Sequence, residues 1–281
     1  MSDTIYTSGM SPLRLATISA SAKGENVGSK KTTPCQVVDD YVVLTTSIKC
    51  SDYSTLNGVI EEVNSLAKMG VNVVKIYGYI SDESTRQDYR FGSYCNCKMV
   101  MDKAEGIELY KRDKESLEQN ALGAVSFMHI LANAPQEHYN KFVQDYVAIL
   151  SRGVAIDPSK KENFFYDSEK GFTFIDVRNK DESGNGRFAV SNMLSVLSPP
   201  WVDCDYLSEN PELEHQFNKL SAAILVKTDS ALLNLGFTRE NIDECFEDRT
   251  YSDGTYIGAM QFGNVCSVEE AKSIVANDNI M

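Results

Sequence analysis

Two rhythms divide this chain. In the N-terminal third, short apolar runs alternate with polar clusters; beyond Gly106, apolar positions recur every three or four residues. The first rhythm predicts strands at Leu13–Ile18, Gln36–Val38, Tyr41–Lys49, Asn72–Ile80 and Cys97–Met101. Asp39-Asp40 reads as a tight turn between the second and third strands, and Ser81–Gln87 as the turn after the fourth. One helix interrupts the strands. From Ser54 to Met69 the residues Val59, Val63, Leu66 and Met69 share a face, Ser54 or Thr55 offers a cap, and Gly70 ends the helix. Residues 1–12 are polar and expected to be loose, and Ser19–Thr33, rich in Ser, Lys and Gly, reads as a mobile loop.

The second rhythm predicts helices over Lys114–Ala132 and Pro135–Arg152, the latter stopped by Gly153. A hairpin follows at 154–177, then a charged, glycine-containing loop at 178–187. Further helices are expected over Phe188–Leu197, Pro211–Leu235, Thr238–Glu247 and Val268–Ala276. The chain shows no internal repeat and no coiled-coil heptads.

Composition narrows the function classes. A length of 281 residues with 42% hydrophobic content suits two lobes around a cleft. No run of 18 apolar residues occurs, so no membrane span is expected, and the first residues do not read as a Sec signal peptide. A net charge of −13 argues against nucleic acid or an anionic membrane as the main partner, and suits a basic protein segment. The seven cysteines, at 35, 50, 95, 97, 204, 245 and 266, lack paired zinc spacing and read as reduced, mostly buried thiols of a cytosolic protein. The histidines at 129, 138 and 215 are scattered, as structural histidines are.

The candidate chemistry lies in Asp157-Pro-Ser-Lys160-Lys-Glu-Asn163, followed by Phe-Phe-Tyr-Asp and Phe172-Thr-Phe-Ile-Asp176. Two carboxylates, an amide and a lysine within twenty residues are what phosphoryl transfer needs. One carboxylate takes the acceptor's proton, an amide and a second carboxylate hold magnesium through oxygen, and a lysine offsets phosphate charge. Upstream stand Lys49 at a strand end, Glu62 on the following helix, and Lys98-Met-Val-Met101-Asp102-Lys103-Ala104-Glu-Gly-Ile-Glu-Leu109.

In this order the segments resemble the protein-kinase-like superfamily, in the compact manner of bacterial effector kinases. The resemblance spans residues 13–178. It implies an α+β, bilobal fold: residues 13–104 as an N-lobe with a five-stranded antiparallel sheet and one αC-type helix, and 105–281 as a mainly helical, reduced C-lobe. It implies ATP and Mg2+ as cofactors. Asp157 would be the catalytic base, Lys49 and Lys160 would neutralise phosphate, Glu62 (preferred over Glu61 for its Leu66 and Met69 ridge) would pair with Lys49, and Asn163 and Asp176 would hold the metal. Met101 would be the gatekeeper, with the backbone of Asp102, Lys103 and Ala104 on the adenine. Gly24, Gly28 and Ser29 would cradle phosphate.

The chain also departs from the family. Ala155 and Ile156 replace the His and Arg before the catalytic Asp, one extra residue lies between Asp157 and Asn163, Val177 and Arg178 follow Asp176, and no A-P-E occurs. The implied activity is phosphotransfer to a protein hydroxyl, with a host protein as one acceptor class, an activating or docking partner, and a place in the cytoplasm or inside a host cell. Its competitors are a small-molecule kinase of the aminoglycoside or choline type, a pseudokinase, and adenylyl transfer.

Overall fold

The computed structural model describes residues 4–22, 34–90, 92–108, 116–156, 163–175, 177–179, 189–247, 249–250, 256–257, 262 and 264–277. The chain divides into two units. The first comprises Met1–Glu105 with Ala148–Ile156 and Thr173–Lys180, and the second the remainder. The pieces 148–156 and 173–180, expected with the helical lobe, therefore group with the sheet.

The first unit is built on β1 (Thr4–Thr7), α1 (Pro12–Ser21), β2 (Cys35–Val38), β3 (Tyr41–Lys49), α2 (Tyr53–Lys68), β4 (Ile76–Tyr89) and β5 (Gly92–Asp102). Its five strands run in the order β1-β4-β5-β3-β2, every neighbour antiparallel. Five antiparallel strands and a helix after the third are thus present as expected, but the first strand is not the predicted one.

Leu13–Ile18 is helical. Ser11 caps α1 by accepting from the Arg14 N–H, and Pro12 occupies the first turn, where its missing donor costs nothing. Leu15, Ile18 and Ala22 then form a stripe buried with Val43 and Val100. Burying Leu15 and Ile18 contributes about 2 kcal/mol each, while Leu13, which made the segment look strand-like, is exposed. The fifth strand is Thr4–Thr7, in a segment expected to be loose. It pairs with β4 on the opposite edge from β2, with Tyr6 opposite Tyr79.

The predicted turn at Ser81–Gln87 is a register irregularity inside the long β4–β5 hairpin. Its turn chemistry is real but local: the Asp82 carboxylate accepts from the Ser84 N–H at 3.0 Å, and the Thr85 hydroxyl donates to the Asp82 carbonyl at 2.6 Å. A second irregularity lies between Ile76 and Gly78, where Gly78 has φ of 139°.

Because antiparallel partners share a face, the register assigns each residue of the sheet to one side. Val43, Thr45, Ser47 and Lys49 on β3 lie opposite Val100, Lys98, Asn96 and Tyr94 on β5. This is the α1 face, where the Lys98 ammonium donates to the Ser19 carbonyl at 3.1 Å, near the negative end of α1. Leu44, Thr46 and Ile48 face the other way, with Met99, Cys97 and Cys95. That side carries α2: the Tyr79 hydroxyl donates to the Asn57 amide oxygen at 2.9 Å, and Tyr53 stacks on Tyr79. Val59, Ile60, Val63, Asn64 and Leu66 form the buried face of α2, and Gly70, with φ of 85°, closes its end. Asn64 ties α2 to β4, accepting from the Ile76 N–H at 2.9 Å and donating to its carbonyl at 2.7 Å.

The second unit contains β6 (Ile107–Glu108), α3 (Leu117–Asn133), most of α4 (Gln136–Ser151), β8 (Phe164–Asp167), α5 (Ala189–Leu197), α6 (Cys204–Ser208), α7 (Pro211–Asn234), α8 (Arg239–Asp243), short β11 (Arg249–Thr250) and β12 (Tyr256–Ile257), and α9 (Val268–Asn277). Strand β7 (Val154–Ala155) pairs with β10 (Arg178–Asn179) in the first unit, and β9 (Gly171–Phe174) is bonded to β8. The core of the second unit gathers Tyr139, Phe142, Phe164 and Phe172, with ring centroids of successive pairs at 5.2 to 6.2 Å. The Lys227 ammonium donates to the Ala132 and Ala134 carbonyls at 2.7 and 2.6 Å, satisfying groups left over at the end of α3. Among the described residues no helix is long and apolar enough to cross a membrane.

Candidate active site

The predicted site residues fall into three groups. Asp157, Lys160, Asp176, Gly24, Gly28 and Ser29 lie outside the described residues. Lys49, Glu62, Met101, Asp102, Lys103 and Ala104 belong to the first unit, and Asn163 to the second.

Lys49 is the main correction. It stands on the α1 face of the sheet, opposite Tyr94, with its side chain over Gly92. The helix that carries Glu62 is on the other face, so the expected Lys49–Glu62 pair is not made. Glu62 meets Arg152 instead, Oε2 to Nη1 at 3.8 Å. The same oxygen is shut from solvent without a hydrogen bond. Arg152 also donates to the Met69 sulfur at 3.1 Å. Glu61, the neighbouring acid, accepts from the Tyr6 hydroxyl at 2.9 Å, and burial followed by this bond pushes the Tyr6 pKa up to about 12. No spacing in the sequence pointed to Arg152. It follows α4, far along the chain from α2, and only the fold brings the two together.

Met101 lies one residue before the end of β5, a strand longer than the expected Cys97–Met101. Met101 sits half-buried between Val42 on β3 and Ile76 on β4. Beyond it, two of the three backbone donors expected on adenine are already used: the Asp102 N–H donates to the Lys75 carbonyl at 2.9 Å, and the Lys103 N–H to the Asp40 carbonyl at 3.0 Å. The Asp102 carboxylate accepts from the Tyr77 hydroxyl at 2.8 Å. Ala104 alone of the three makes no such backbone bond among the described residues.

Segments flanking Asp176 run close to α2. The Phe174 N–H donates to the Asn72 carbonyl at 2.8 Å, and its carbonyl accepts from the Val74 N–H at 3.1 Å. Strand β10 then pairs with β7, and both touch α2.

In the second unit, Asn163 directly precedes β8. It is 4% exposed, and its amide nitrogen has no hydrogen-bond partner. A buried polar atom left unmade costs about 1–3 kcal/mol, so native chains keep few of them. The hairpin after it is well made: the Asp167 carboxylate accepts from the Glu169 and Lys170 N–H groups at 2.8 and 2.9 Å, bonds that hold its pKa below the ordinary carboxylate value. Gly106 lets β6 approach β8, since a Cβ there would lie 2.2 Å from the Tyr166 carbonyl oxygen.

Two of the three histidines bond neighbouring side chains. His138 bonds the Tyr166 hydroxyl and His129 the Gln216 side chain. Among the described residues no three His, Cys, Asp or Glu side chains gather as a metal site. All seven cysteines are free thiols, but only Cys95 and Cys97 are fully buried and Cys204 and Cys266 are exposed, so the thiols are less buried than expected.

No family model matches the sequence, and no curated protein matches it. Among solved structures the chain is similar to aminoglycoside phosphotransferase APH(3'')-Id of Streptomyces rimosus, at 10% identity over 82% of this chain and 93% of that one, with a TM-score of 0.34. It is also similar to the ROP18 kinase domain solved with AMP-PNP and sucrose, at 11% identity over 82% and 86%, with a TM-score of 0.36. A third is ROP2 of Toxoplasma gondii, described as a virulence factor with a protein-kinase fold and no enzymatic activity, at 10% identity over 78% and 67%, with a TM-score of 0.36. At these TM-scores no residue role is transferred from them, and the site rests on the residues described above.

Proposed function

We propose that the chain is an ATP- and magnesium-dependent phosphotransferase that passes the γ-phosphoryl group to a protein hydroxyl. The observation that carries this reading is Asn163: a buried amide with an unpartnered atom, between Asp157 and Asp176 in sequence and at the head of a tight hairpin. An amide oxygen suits magnesium, and half a turn of the Asn163 amide puts oxygen at the unpartnered position. Asn163 thus fits the metal. Magnesium, when bound, neutralises charge on the phosphate oxygens.

The other roles follow from residue chemistry. Asp157 orients the acceptor hydroxyl and receives its proton. Asp176 supplies the second oxygen ligand, and Lys160 balances the charge that develops on the transferred group. The Ala104 N–H is the backbone donor left for adenine. Lys49 has no part, because it faces away from α2. The acidic chain favours a basic acceptor segment.

A second reading, a nucleotide-binding module without catalysis, is favoured by one observation: Lys49 and Glu62 stand on opposite sides of the sheet. Label transfer separates the readings. ATP labelled at the γ- or the α-phosphate is offered with magnesium to a cell lysate, with wild type beside Asp176→Ala. γ-Label on a protein, absent with Asp176→Ala, supports phosphotransfer to protein. α-Label means adenylyl transfer. No label, with magnesium-dependent ATP binding retained, means the binding module.

A further inference from the structure

Cys50 and Cys95 meet across the first unit. Cys50 opens the short helical turn Cys50–Asp52 that joins β3 to α2. Cys95 lies on β5 opposite Ile48. Their sulfurs are 3.3 Å apart. The two differ in access: Cys50 is half-buried and Cys95 is 1% exposed. The Tyr53 hydroxyl, bonded to the Ser81 hydroxyl, closes one side of the pair. On another side the Glu83 carboxylate accepts from the Cys95 thiol at 3.8 Å.

We propose that Cys50 and Cys95 are an oxidative modification site, a dithiol that a peroxide converts to an intramolecular disulfide. A disulfide needs about 2.05 Å between sulfurs, so the two at 3.3 Å need only draw closer to bond. Access sets the order of events. The Cys50 sulfur attacks one peroxide oxygen, the O–O bond breaks, and Cys50 sulfenic acid forms with release of one water. The Cys95 sulfur then attacks the Cys50 sulfur, the S–O bond breaks, and the Cys95 proton leaves with the hydroxide as a second water. Two thiols are oxidised and one peroxide is reduced. Burial raises the Cys95 thiol pKa, in keeping with Cys95 as the resolving rather than the first-reacting group. The bond would anchor the corner that leads into α2 onto β5. This inference stands apart from the phosphotransfer reading.

The test is peptide mapping of the full chain. Wild-type protein is treated with hydrogen peroxide, remaining thiols are alkylated, and the digest is read by mass spectrometry. The expected result is a linked Cys50–Cys95 peptide, a loss of two of the seven free thiols, and reversal by dithiothreitol. In Cys95→Ser, dimedone should trap sulfenic acid at Cys50; in Cys50→Ser, Cys95 should remain alkylatable. Alkylation of both Cys50 and Cys95 after peroxide, or a linkage of either to any other cysteine, overturns the proposal. The wild-type map decides the matter even if a serine variant does not fold.

Discussion

Lys49 and Asn163 were both expected to serve one site, and the two regions that hold them behave differently. Lys49 ends a strand whose face is dictated by its pairing with β5, and that pairing turns it toward α1. Asn163 opens a hairpin, is buried, and keeps one amide atom without a partner. The first residue has its place explained by the sheet. The second carries a cost that its described neighbours do not repay, which is the reason the proposed function assigns it a ligand. Order along a chain can therefore align two motifs while strand parity sends one of them to the wrong side.

The largest expected effect sharpens the Asn163 side. In the proposed role of metal ligand, its loss removes several kcal/mol of transition-state stabilisation, so Asn163→Ala should lower the initial rate of phosphotransfer by about a hundredfold or more. The same variant should lose no more than about 1 kcal/mol in urea unfolding, because the amide nitrogen it deletes was already without a partner. A large stability loss with unchanged rate would make Asn163 a structural residue.

The next effect probes how α2 is held on its face of the sheet. Asn64→Ala strands the Ile76 N–H and carbonyl in a buried place, and should cost about 3 kcal/mol of unfolding free energy. An effect under about 1 kcal/mol would mean that α2 is not held there. Gly78→Ala addresses the displaced first strand. A Cβ at Gly78 would lie 2.1 Å from the Tyr6 carbonyl oxygen, so about 2 kcal/mol should be lost and amide protection of Thr4–Thr7 should fall.

A smaller effect concerns pH. Tyr79, stacked between Tyr6 and Tyr53, is pushed up to about 12, chiefly by burial. Its folded pKa exceeds the unfolded value of about 10, so its contribution is full below that value and is lost as pH rises through the folded one. Melting temperature should therefore fall between pH 10 and pH 12. Tyr79→Phe, which cannot ionise, should flatten that fall.

Much of the fold was legible because period and punctuation agree. The span of α2 and the long helices α3, α4 and α7 follow apolar spacing bounded by Gly or Pro, and the β2–β3 hairpin turns at Asp39-Asp40. The first segment misled because Leu13, Leu15 and Ile18 satisfy more than one period. Ser11-Pro12 was the cue for a helix, and tertiary burial of Leu15 and Ile18 settles it. For the site, Lys49 lies six residues from Val43, and an even separation within one strand means a shared face. What the sequence could not tell is which face α2 covers, since that depends on β4 and β5. Arg152 was invisible for the same reason: its partner Glu62 is supplied by the fold, not by spacing.

The decisive comparison is the initial rate of γ-phosphate transfer, with magnesium, by wild type, Lys49→Ala and Asn163→Ala side by side. The expected result is a rate within about twofold of wild type for Lys49→Ala and a loss of about a hundredfold for Asn163→Ala. Loss of transfer in Lys49→Ala, or full activity in Asn163→Ala, would contradict the division of roles between the two regions.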